Sequence, residues 1–87
     1  MLPAQQIFST EFDDCFFRLP KSVQRQIERR VDLLGANLKT FSHQRLQGVA
    51  AFKLRVGDYR VIYTFDPSAK TLNLITLGHR REVYRSI

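Results

Sequence analysis

The chain has little of the chemistry that marks several common classes of protein. Its 87 residues include no tryptophan, one methionine and one cysteine, Cys15. A single cysteine excludes an internal disulfide framework, and it has no partner at metal-ligand spacing. Its near neighbours are Asp13 and Asp14 rather than the cations that activate a thiolate. We therefore interpret Cys15 as a small apolar residue of the core.

Long apolar runs are absent too, since no stretch approaches the roughly 18 apolar residues of a membrane span. The first residues show neither the basic region nor the apolar region of a secretory signal. We expect a cytoplasmic protein without a membrane partner. With 44% hydrophobic and 25% charged residues, the composition is that of one globular domain spanning residues 1–87.

Acidic residues are scarce in the second half of the chain. Residues 1–40 carry six Lys or Arg against five Asp or Glu, whereas residues 41–87 carry eight against three. Asp58, Asp66 and Glu82 are scattered, so the pattern favours neither a metal site nor a pair of catalytic carboxylates. There is also no phosphate-binding glycine-rich loop and no serine nucleophile elbow. We expect no metal and no cofactor, and the local basic excess is typical of contact with nucleic acid or with an acidic protein.

Two helices are predicted in the first half, after a short strand over residues 5–9. Thr10 is a plausible N-cap, and the first helix has the apolar stripe Phe12, Phe16 and Leu19. Pro20 ends that helix and suits the start of the next one. The second helix is predicted from Lys21 to Leu34, ended by Gly35 or Asn37 in the left-handed conformation. Its predicted apolar face consists of Val23, Ile27, Val31 and Leu34, and Gln24 is predicted on its polar face.

A hairpin is the clearest feature of the second half. It follows a loop over residues 36–49 in which Phe41 and Leu46 can anchor to the core. Apolar residues alternate on both sides of Gly57-Asp58, which suits a two-residue turn with a positive φ at the glycine. If Val56 pairs with Tyr59, then Arg55 lies directly opposite Arg60, on the face that also carries Ala51, Lys53, Ile62 and Thr64. Like charges in that position are destabilising. A bound polyanion would compensate them, although two solvated arginines on an open face would also fit.

A third hairpin-connected strand is predicted over residues 71–77, after the polar turn 66–70. The order β-α-α-β-β-β indicates an α+β fold, with two helices packed on one face of a small antiparallel sheet and the other face partly open.

Three segments of the chain show a family resemblance: residues 43–48 (HQRLQG), residues 53–63 (KLRVGDYRVIY) and residues 78–84 (GHRREVY). In this order and in a chain of this size they resemble the RelE-type toxins of type II toxin–antitoxin systems, within the RelE/ParE superfamily. The resemblance covers essentially the whole chain. It implies a metal-independent, ribosome-dependent endoribonuclease that cleaves mRNA in the ribosomal A site, inhibits translation and is neutralised by a cognate antitoxin. The implied partners are that antitoxin, the ribosome with its mRNA, and operator DNA reached through the antitoxin complex.

The resemblance also implies site residues. Lys53, Arg60, Arg80 and Tyr84 match the family's catalytic lysine, two arginines and tyrosine. Ala51 stands where a second lysine is found in the family, so one cation is missing unless Arg55 or Arg45 replaces it. Arg45, Arg55 and Arg81 are expected to contact RNA.

The chemistry of metal-independent RNA cleavage divides these residues by role. Arginine stays protonated and can only stabilise the phosphorane, so Arg60 and Arg80 are assigned that task. Proton transfer is left to Tyr84, His79 or Lys53, and the resemblance favours Tyr84 as the base. His79 is chemically suited to acid–base work, but it is also a plausible turn residue at the end of the last strand. Tyr84 can equally pack its ring on the sheet.

His43 is interpreted as a loop residue, Arg81 on its own chemistry fits a surface contact better, and Arg45 is equally plausible on a solvated surface. Two other functions remain open. One is a ParE-like inhibitor of DNA gyrase with the same fold; the other is a catalytically weak module that acts through antitoxin binding and operator repression.

Overall fold

The computed structural model describes residues 3–86; residues 1, 2 and 87 of the predicted domain lie outside them. The described chain forms two α-helices, five strands and a final 3₁₀ helix that we label η1. In chain order these are β1 (Gln5–Phe8), α1 (Thr10–Phe17), α2 (Lys21–Ala36), β2 (Gln44–Arg45), β3 (Phe52–Val56), β4 (Tyr59–Asp66), β5 (Thr71–His79) and η1 (Val83–Ser86). No helix within residues 3–86 is long and apolar enough to cross a bilayer.

The five strands form one mixed sheet in the order β1-β5-β4-β3-β2. The predicted α+β class and the antiparallel arrangement of β3, β4 and β5 are confirmed. The prediction of a purely antiparallel sheet is wrong at one edge, because β1 pairs with β5 in parallel. Side-chain alternation shows which face a residue occupies but not the direction in which a strand runs. The direction of β1 is set by the two-helix connection that follows it.

Helix α1 begins one residue earlier than predicted. Ser9, not Thr10, is the N-cap: its hydroxyl accepts a hydrogen bond of 3.0 Å from the Phe12 amide. The same hydroxyl donates to the Ile75 carbonyl of β5. Ser9 therefore caps the helix and fastens its start to the sheet, a tertiary contact that local sequence does not indicate.

Helix α2 begins at Lys21, as predicted, but differs from the prediction at Gln24 and at its C-terminal end. Gln24, predicted on the polar face, is buried because its side-chain amide donates to the Leu19 carbonyl at 2.9 Å and closes the end of α1. The helix continues through Gly35 to Ala36, and Asn37 follows with φ of −133°, which is not left-handed. The Asn37 side chain instead donates to the Leu33 carbonyl at 2.8 Å. A polar side chain thus replaces the expected glycine-type ending.

The hairpin has the predicted register. Val56 pairs with Tyr59, so Gly57 and Asp58 form the two-residue turn, with Gly57 at φ of +59°. Arg55 and Arg60 are consequently direct cross-strand partners. The like-charge pair predicted from the spacing is present.

The main core lies between the helices and one face of the sheet, which we call the helix face. It includes the predicted apolar residues of both helices together with Leu54, Val61, Tyr63, Leu72, Leu74 and Leu77. Cys15 packs against this core as a small apolar residue, as predicted.

The opposite face, which we call the tail face, was predicted to be polar and partly open. It instead carries a small second core in which Ala51, Ile62 and Val83 are buried and Leu46 packs beside them. The two-residue strand β2 and helix η1 bring Leu46 and Val83 there, and neither element was predicted. The predicted anchors Phe41 and Leu46 therefore do reach the core, but on opposite faces of the sheet.

His43 fixes the loop between α2 and β2 from inside an aromatic cluster. Its Nε2 donates to the Leu38 carbonyl at 2.8 Å, so its Nδ1 in the neutral ring accepts from the Tyr63 hydroxyl at 2.7 Å. The ring stacks on Phe65 with centroids 3.9 Å apart. His43 is a loop residue, as predicted, and the structure gives it an architectural role.

Candidate functional site

The Gly57-Asp58 turn gathers two of the predicted catalytic arginines. The guanidinium of Arg60 donates through Nη1 to the carbonyls of Gly57 and Tyr59, at 3.1 and 3.0 Å. The backbone amide of Arg80 donates to the Asp58 carbonyl at 2.8 Å. Although the two arginines are 20 positions apart in the sequence, the same two-residue turn therefore holds both. The remaining guanidinium donors of Arg60 are not used by these contacts.

Gly78 lets the end of the chain approach the tail face closely. It pairs with Arg60 across the sheet, and a Cβ atom placed on it would lie 3.4 Å from both Cα and Cβ of Val83. A side chain that extends beyond this Cβ atom would push Val83 off the sheet. The absence of a side chain at Gly78 thus lets η1 begin directly over the strand partner of Arg60.

Val83 positions Tyr84. Its side chain is buried in the second core against the tail face, while the next residue, Tyr84, stays 40% exposed. Val83 packs in the same cluster as Ile62. Ile62 is the cross-strand partner of Lys53, so Val83 also lies on the same face as this half-buried lysine. Lys53 and Arg60 therefore share the sheet face that Val83 covers, and Arg80 and Tyr84 belong to the segment that Val83 anchors there.

The position of the missing family lysine has a structural explanation. Ala51 is 4% exposed and belongs to the cluster with Ile62 and Val83. A lysine there would have to leave the cluster or bury its stem along it. In this chain the position is used for packing, and the tail face has one cation fewer.

The two arginines considered as replacements lie differently. Arg55 shares the tail face with Lys53, because it pairs with Arg60 while Lys53 pairs with Ile62. Arg45 pairs with Phe52, whereas Gln44 pairs with Lys53. Since directly paired residues share a face, Arg45 is at a helix-face register and the geometry favours Arg55.

His79 lies on the other side of the sheet from the arginines. It pairs with Tyr59, and the two rings are 6.0 Å apart, edge to face. Tyr59 packs against the main core on the helix face. The His79 carbonyl also accepts from the Glu82 amide at 2.8 Å and closes the turn before η1. The structure therefore does not bring His79 together with Arg60, while Arg81 lies exposed in that same turn.

The tail face is rich in cations without neutralising partners nearby. For Lys53, Arg55, Arg60 and Arg80 the structure records no ion pair with a carboxylate among residues 3–84. Two acidic residues lie close in sequence: Asp58 contributes its backbone carbonyl to the Arg80 amide, and Glu82 is exposed in the turn before η1. Nor does any group of three or more metal-ligating side chains occur in the described part of the chain. The arrangement is suited to binding an anion.

Val83 is the functional residue that sequence reasoning missed. Only its isolation as the one apolar residue between Arg80 and Tyr84 signals a packing role. Its partners Ile62 and Ala51 lie on strand positions where alternation predicts solvent exposure. The signal is visible only once the two faces of the sheet are known.

Comparisons with known proteins identify the family and the fold. Residues 6–84 match the family model described as ParE toxin of type II toxin-antitoxin system, parDE. No curated protein sequence matches the chain.

Solved structures share the fold. A chain of the archaeal RelE–RelB complex from Pyrococcus horikoshii OT3 is 23% identical over 93% of this chain and 99% of that chain, with a TM-score of 0.75. A chain of the RelBE2 complex from Mycobacterium tuberculosis is 22% identical over 94% and 97%, with a TM-score of 0.74. The isolated RelE toxin of E. coli is 18% identical over 95% and 93%, also with a TM-score of 0.74. With almost its full length matched by the family model, the chain belongs to the ParE toxin family of type II toxin–antitoxin systems, within the RelE/ParE superfamily.

Proposed function

We propose that this toxin is a ribosome-dependent endoribonuclease that cleaves mRNA in the A site without a metal ion. The observation that carries the proposal is the Gly78–Val83 contact, which docks the segment bearing Arg80 and Tyr84 on the sheet face that also carries Lys53 and Arg60. These four positions are also the ones at which the sequence resembles RelE-type toxins. A gathered set of cations with an adjacent phenol suits the transfer of a phosphodiester.

The two arginines stabilise charge in this mechanism. The ribose 2′-oxygen attacks the adjacent phosphorus in line, the bond to the 5′-oxygen breaks, and a 2′,3′-cyclic phosphate forms. The intermediate phosphorane carries extra negative charge, which guanidinium donors can accept in a bidentate manner. Arg60 is held by the hairpin carbonyls before substrate binds, and such preorganised donors are what lower the barrier.

Proton transfer falls to Tyr84 and Lys53. The base must take the 2′-OH proton, and an acid must protonate the leaving 5′-oxygen. Tyr84 is exposed and follows the buried Val83. Lys53 lies on the same face as Arg60, and its strand pair with Ile62 is separated from the Arg55–Arg60 pair by one intervening pair. We assign Tyr84 as base and Lys53 as acid; His79 shapes the turn from the other face.

The test is single-turnover cleavage on ribosomes programmed with a defined mRNA. We expect Arg60→Ala and Arg80→Ala each to lower the cleavage rate about 10²- to 10³-fold, the usual effect of removing a donor to a developing oxyanion. Tyr84→Phe should lower it about 10²- to 10⁴-fold. Lys39→Ala, which removes an exposed cation in the loop after α2, is the matched control and should cleave at the parental rate.

Undiminished cutting by both arginine variants would overturn the assigned roles. The cleavage must also depend on the ribosome, because so small a site needs the RNA to be positioned for in-line attack. Equal cutting of free RNA would contradict that part of the proposal.

A second candidate function is inhibition of DNA gyrase, favoured by the ParE description of the matching family model. The segment 78–84, which contains Arg80 and Tyr84 at the positions that resemble RelE-type toxins, favours the ribonuclease instead. Inhibition of gyrase supercoiling at toxin concentrations that leave ribosome-bound mRNA intact would reverse this order.

We also infer a cognate antitoxin that covers the groove between α1 and α2. The groove is lined by Phe8, Phe12, Phe16 and Phe17, and its rim carries Asp13, Glu28 and Asp32. Phe17 is 68% exposed at its edge, which is unfavourable in water and suits an amphipathic helix as partner. Similar proteins were solved in complexes of toxin and antitoxin. Phe17→Ser should weaken antitoxin binding and leave cleavage by the free toxin unchanged; unchanged affinity would place the antitoxin elsewhere.

A further inference from the structure

A second basic site adjoins the residues assigned to cleavage but takes most of its charge from α2. A cleft of about 410 Å³ between α2 and the tip of the hairpin is lined by Gln26, Arg29, Arg30, Arg55, Val56 and Gly57. Its three arginines are all exposed and come from two elements. Arg29 and Arg30 take no part in the core and none in the mechanism described above.

Helix α2 separates its charges between two grooves. Glu28 and Asp32 line the apolar groove beside α1, and the Asp32 carboxylate accepts from the Gln6 side chain at 2.7 Å. Arg29 and Arg30 line the opposite cleft, and the structure records no ion pair for either of them within residues 3–84. A merely solvated helix would gain from pairing these charges three or four residues apart. The separation instead leaves an unneutralised basic surface beside the hairpin.

The cleft is suited to phosphate rather than to a folded peptide. None of the large exposed apolar side chains of the described chain lines it, since these are Ile7, Phe8, Phe17, Leu33, Val49, Ile75 and Tyr84. A peptide that folds on binding needs apolar anchors to offset its loss of conformational entropy. A sugar-phosphate backbone needs only charge and donors, which three guanidinium groups and the amide of Gln26 supply.

We propose that this cleft binds the phosphate backbone of RNA and positions the toxin on its substrate complex. The proposal rests on the proposed ribonuclease function for the choice of RNA. Arg55 connects the two sites, because it lines the cleft and is the direct strand partner of Arg60. If the bound strand is the mRNA, it continues from the cleft along the hairpin to the cleavage site; if it is ribosomal RNA, the cleft docks the toxin beside the mRNA.

The test is equilibrium binding of the double variant Arg29→Gln/Arg30→Gln, compared with Arg18→Gln/Lys21→Gln. Both variants lose two exposed cations, and the control pair lies at the junction of α1 and α2, outside the cleft. Glutamine keeps a good helix propensity, and circular dichroism checks the fold. Three ligands are used: ribosomes carrying an mRNA that is 2′-O-methylated in the A site and so is bound but not cut, ribosomes without mRNA, and free single-stranded RNA.

We expect the cleft variant to bind mRNA-programmed ribosomes about tenfold more weakly at 0.1 M salt. The slope of log K against log salt should fall by about 1.5, because two phosphate contacts are lost. Weakening that persists on ribosomes without mRNA identifies ribosomal RNA as the ligand, whereas weakening that needs the message identifies mRNA. Under cleavage conditions KM should rise while kcat stays within about twofold, as expected for lost binding far from the reacting atoms.

Three results would overturn the proposal. They are unchanged affinity and salt slope for all RNA ligands, equal weakening by the control pair, and weakened antitoxin binding with RNA binding intact, which would make the cleft a protein site. Because binding is measured without cleavage, failure here is separable from failure of the ribonuclease assignment. A parental toxin that cuts mRNA alongside a cleft variant that binds normally would sink this inference alone.

Discussion

The two faces of the sheet are built for different tasks. The helix face is covered by α1 and α2 and buries a continuous core of fourteen residues, Tyr63 among them. Among the described residues, the tail face buries Ala51, Ile62 and Val83 together with Thr76, the strand partner of Ile62, and it also carries Lys53, Arg55 and Arg60. The helix face therefore supplies most of the stability, and the few apolar contacts of the tail face position charged groups.

This difference indicates where stability and activity can be separated. Burial of apolar surface contributes roughly 25 cal/mol per Å², so the larger core controls unfolding. The small core holds η1, whose displacement leaves the helix face untouched. Substitutions on the two faces should therefore affect different measurements.

The largest expected effect is on the helix face. Leu34 of α2 is fully buried, whereas its neighbour Leu33 is 49% exposed. Leu34→Ala should lower the free energy of unfolding by about 2 to 5 kcal/mol, because a buried cavity remains. Leu33→Ala, the same chemical change, should alter it by less than about 0.5 kcal/mol. Urea unfolding followed by circular dichroism distinguishes the two variants. The folded fraction of Leu34→Ala should still cleave. Comparable losses of unfolding free energy in both variants would contradict the assigned packing of α2.

The next effect belongs to the tail face. Gly78→Leu places a side chain where Val83 now lies and should lift η1 from the sheet, which lowers cleavage about 10²-fold because Tyr84 shifts by an ångström or more. Gly78→Ala is the graded control, since its Cβ would sit at 3.4 Å, an ordinary contact distance. It should retain most activity. Both variants should melt within a few degrees of the parent, and cleavage by Gly78→Leu at the parental rate would separate Tyr84 from the chemistry.

The sequence predicted the parts of this arrangement that local patterns control. The register of the hairpin, with Arg55 opposite Arg60, followed from alternation and the Gly57-Asp58 turn. The direction of β1 and the bond from Ser9 to the Ile75 carbonyl depend on partners distant in the chain, whereas the burial of Gln24 depends on the way α1 ends against α2. Ile62 and Val83 were not predicted to meet because each looks exposed in its own segment. The placement of His79 away from Arg60 depended on the irregular pairing of β4 with β5 near Ile62 and Tyr63, which no residue pattern announces.

The bond between Tyr63 and His43 tests the helix face more finely. Tyr63→Phe removes the donor to the His43 Nδ1 and leaves that nitrogen unpaired. We expect a loss of about 1 to 3 kcal/mol in the free energy of unfolding near neutral pH. His43→Phe, which keeps an aromatic ring in the stack, serves as comparison and should also release the loop from the Leu38 carbonyl.

The same tyrosine makes stability depend on pH in the alkaline range. Burial raises the pKa of Tyr63 to about 12, above its unfolded value near 10. The unfolded chain therefore loses the proton first, and the stabilising contribution, complete below pH 10, disappears as pH rises towards 12. The parent should lose about 2 to 3 kcal/mol over this range from this residue. Tyr63→Phe lacks that component, so a parallel alkaline loss in both proteins would contradict the assignment.

The smallest effect concerns the arginine pair and sharpens the comparison most. Arg55→Thr relieves a direct like-charge contact with Arg60, and threonine suits a strand. We expect the free energy of unfolding to rise by about 0.2 to 1 kcal/mol at low salt. The gain should shrink as salt screens the repulsion. Lys70→Thr is unsuitable as a control because Lys70 has a positive φ; Arg81→Thr, in the exposed turn before η1, removes the same charge without a strand partner.

The same Arg55→Thr protein should bind RNA more weakly, because Arg55 links the cleft to the cleavage site. A substitution that raises stability while lowering RNA affinity is expected only where a charge is retained for binding and opposes folding. If Arg55→Thr proved less stable than the parent at every salt concentration, the arginine would be a structural residue. The tail face would then differ from the helix face only in size.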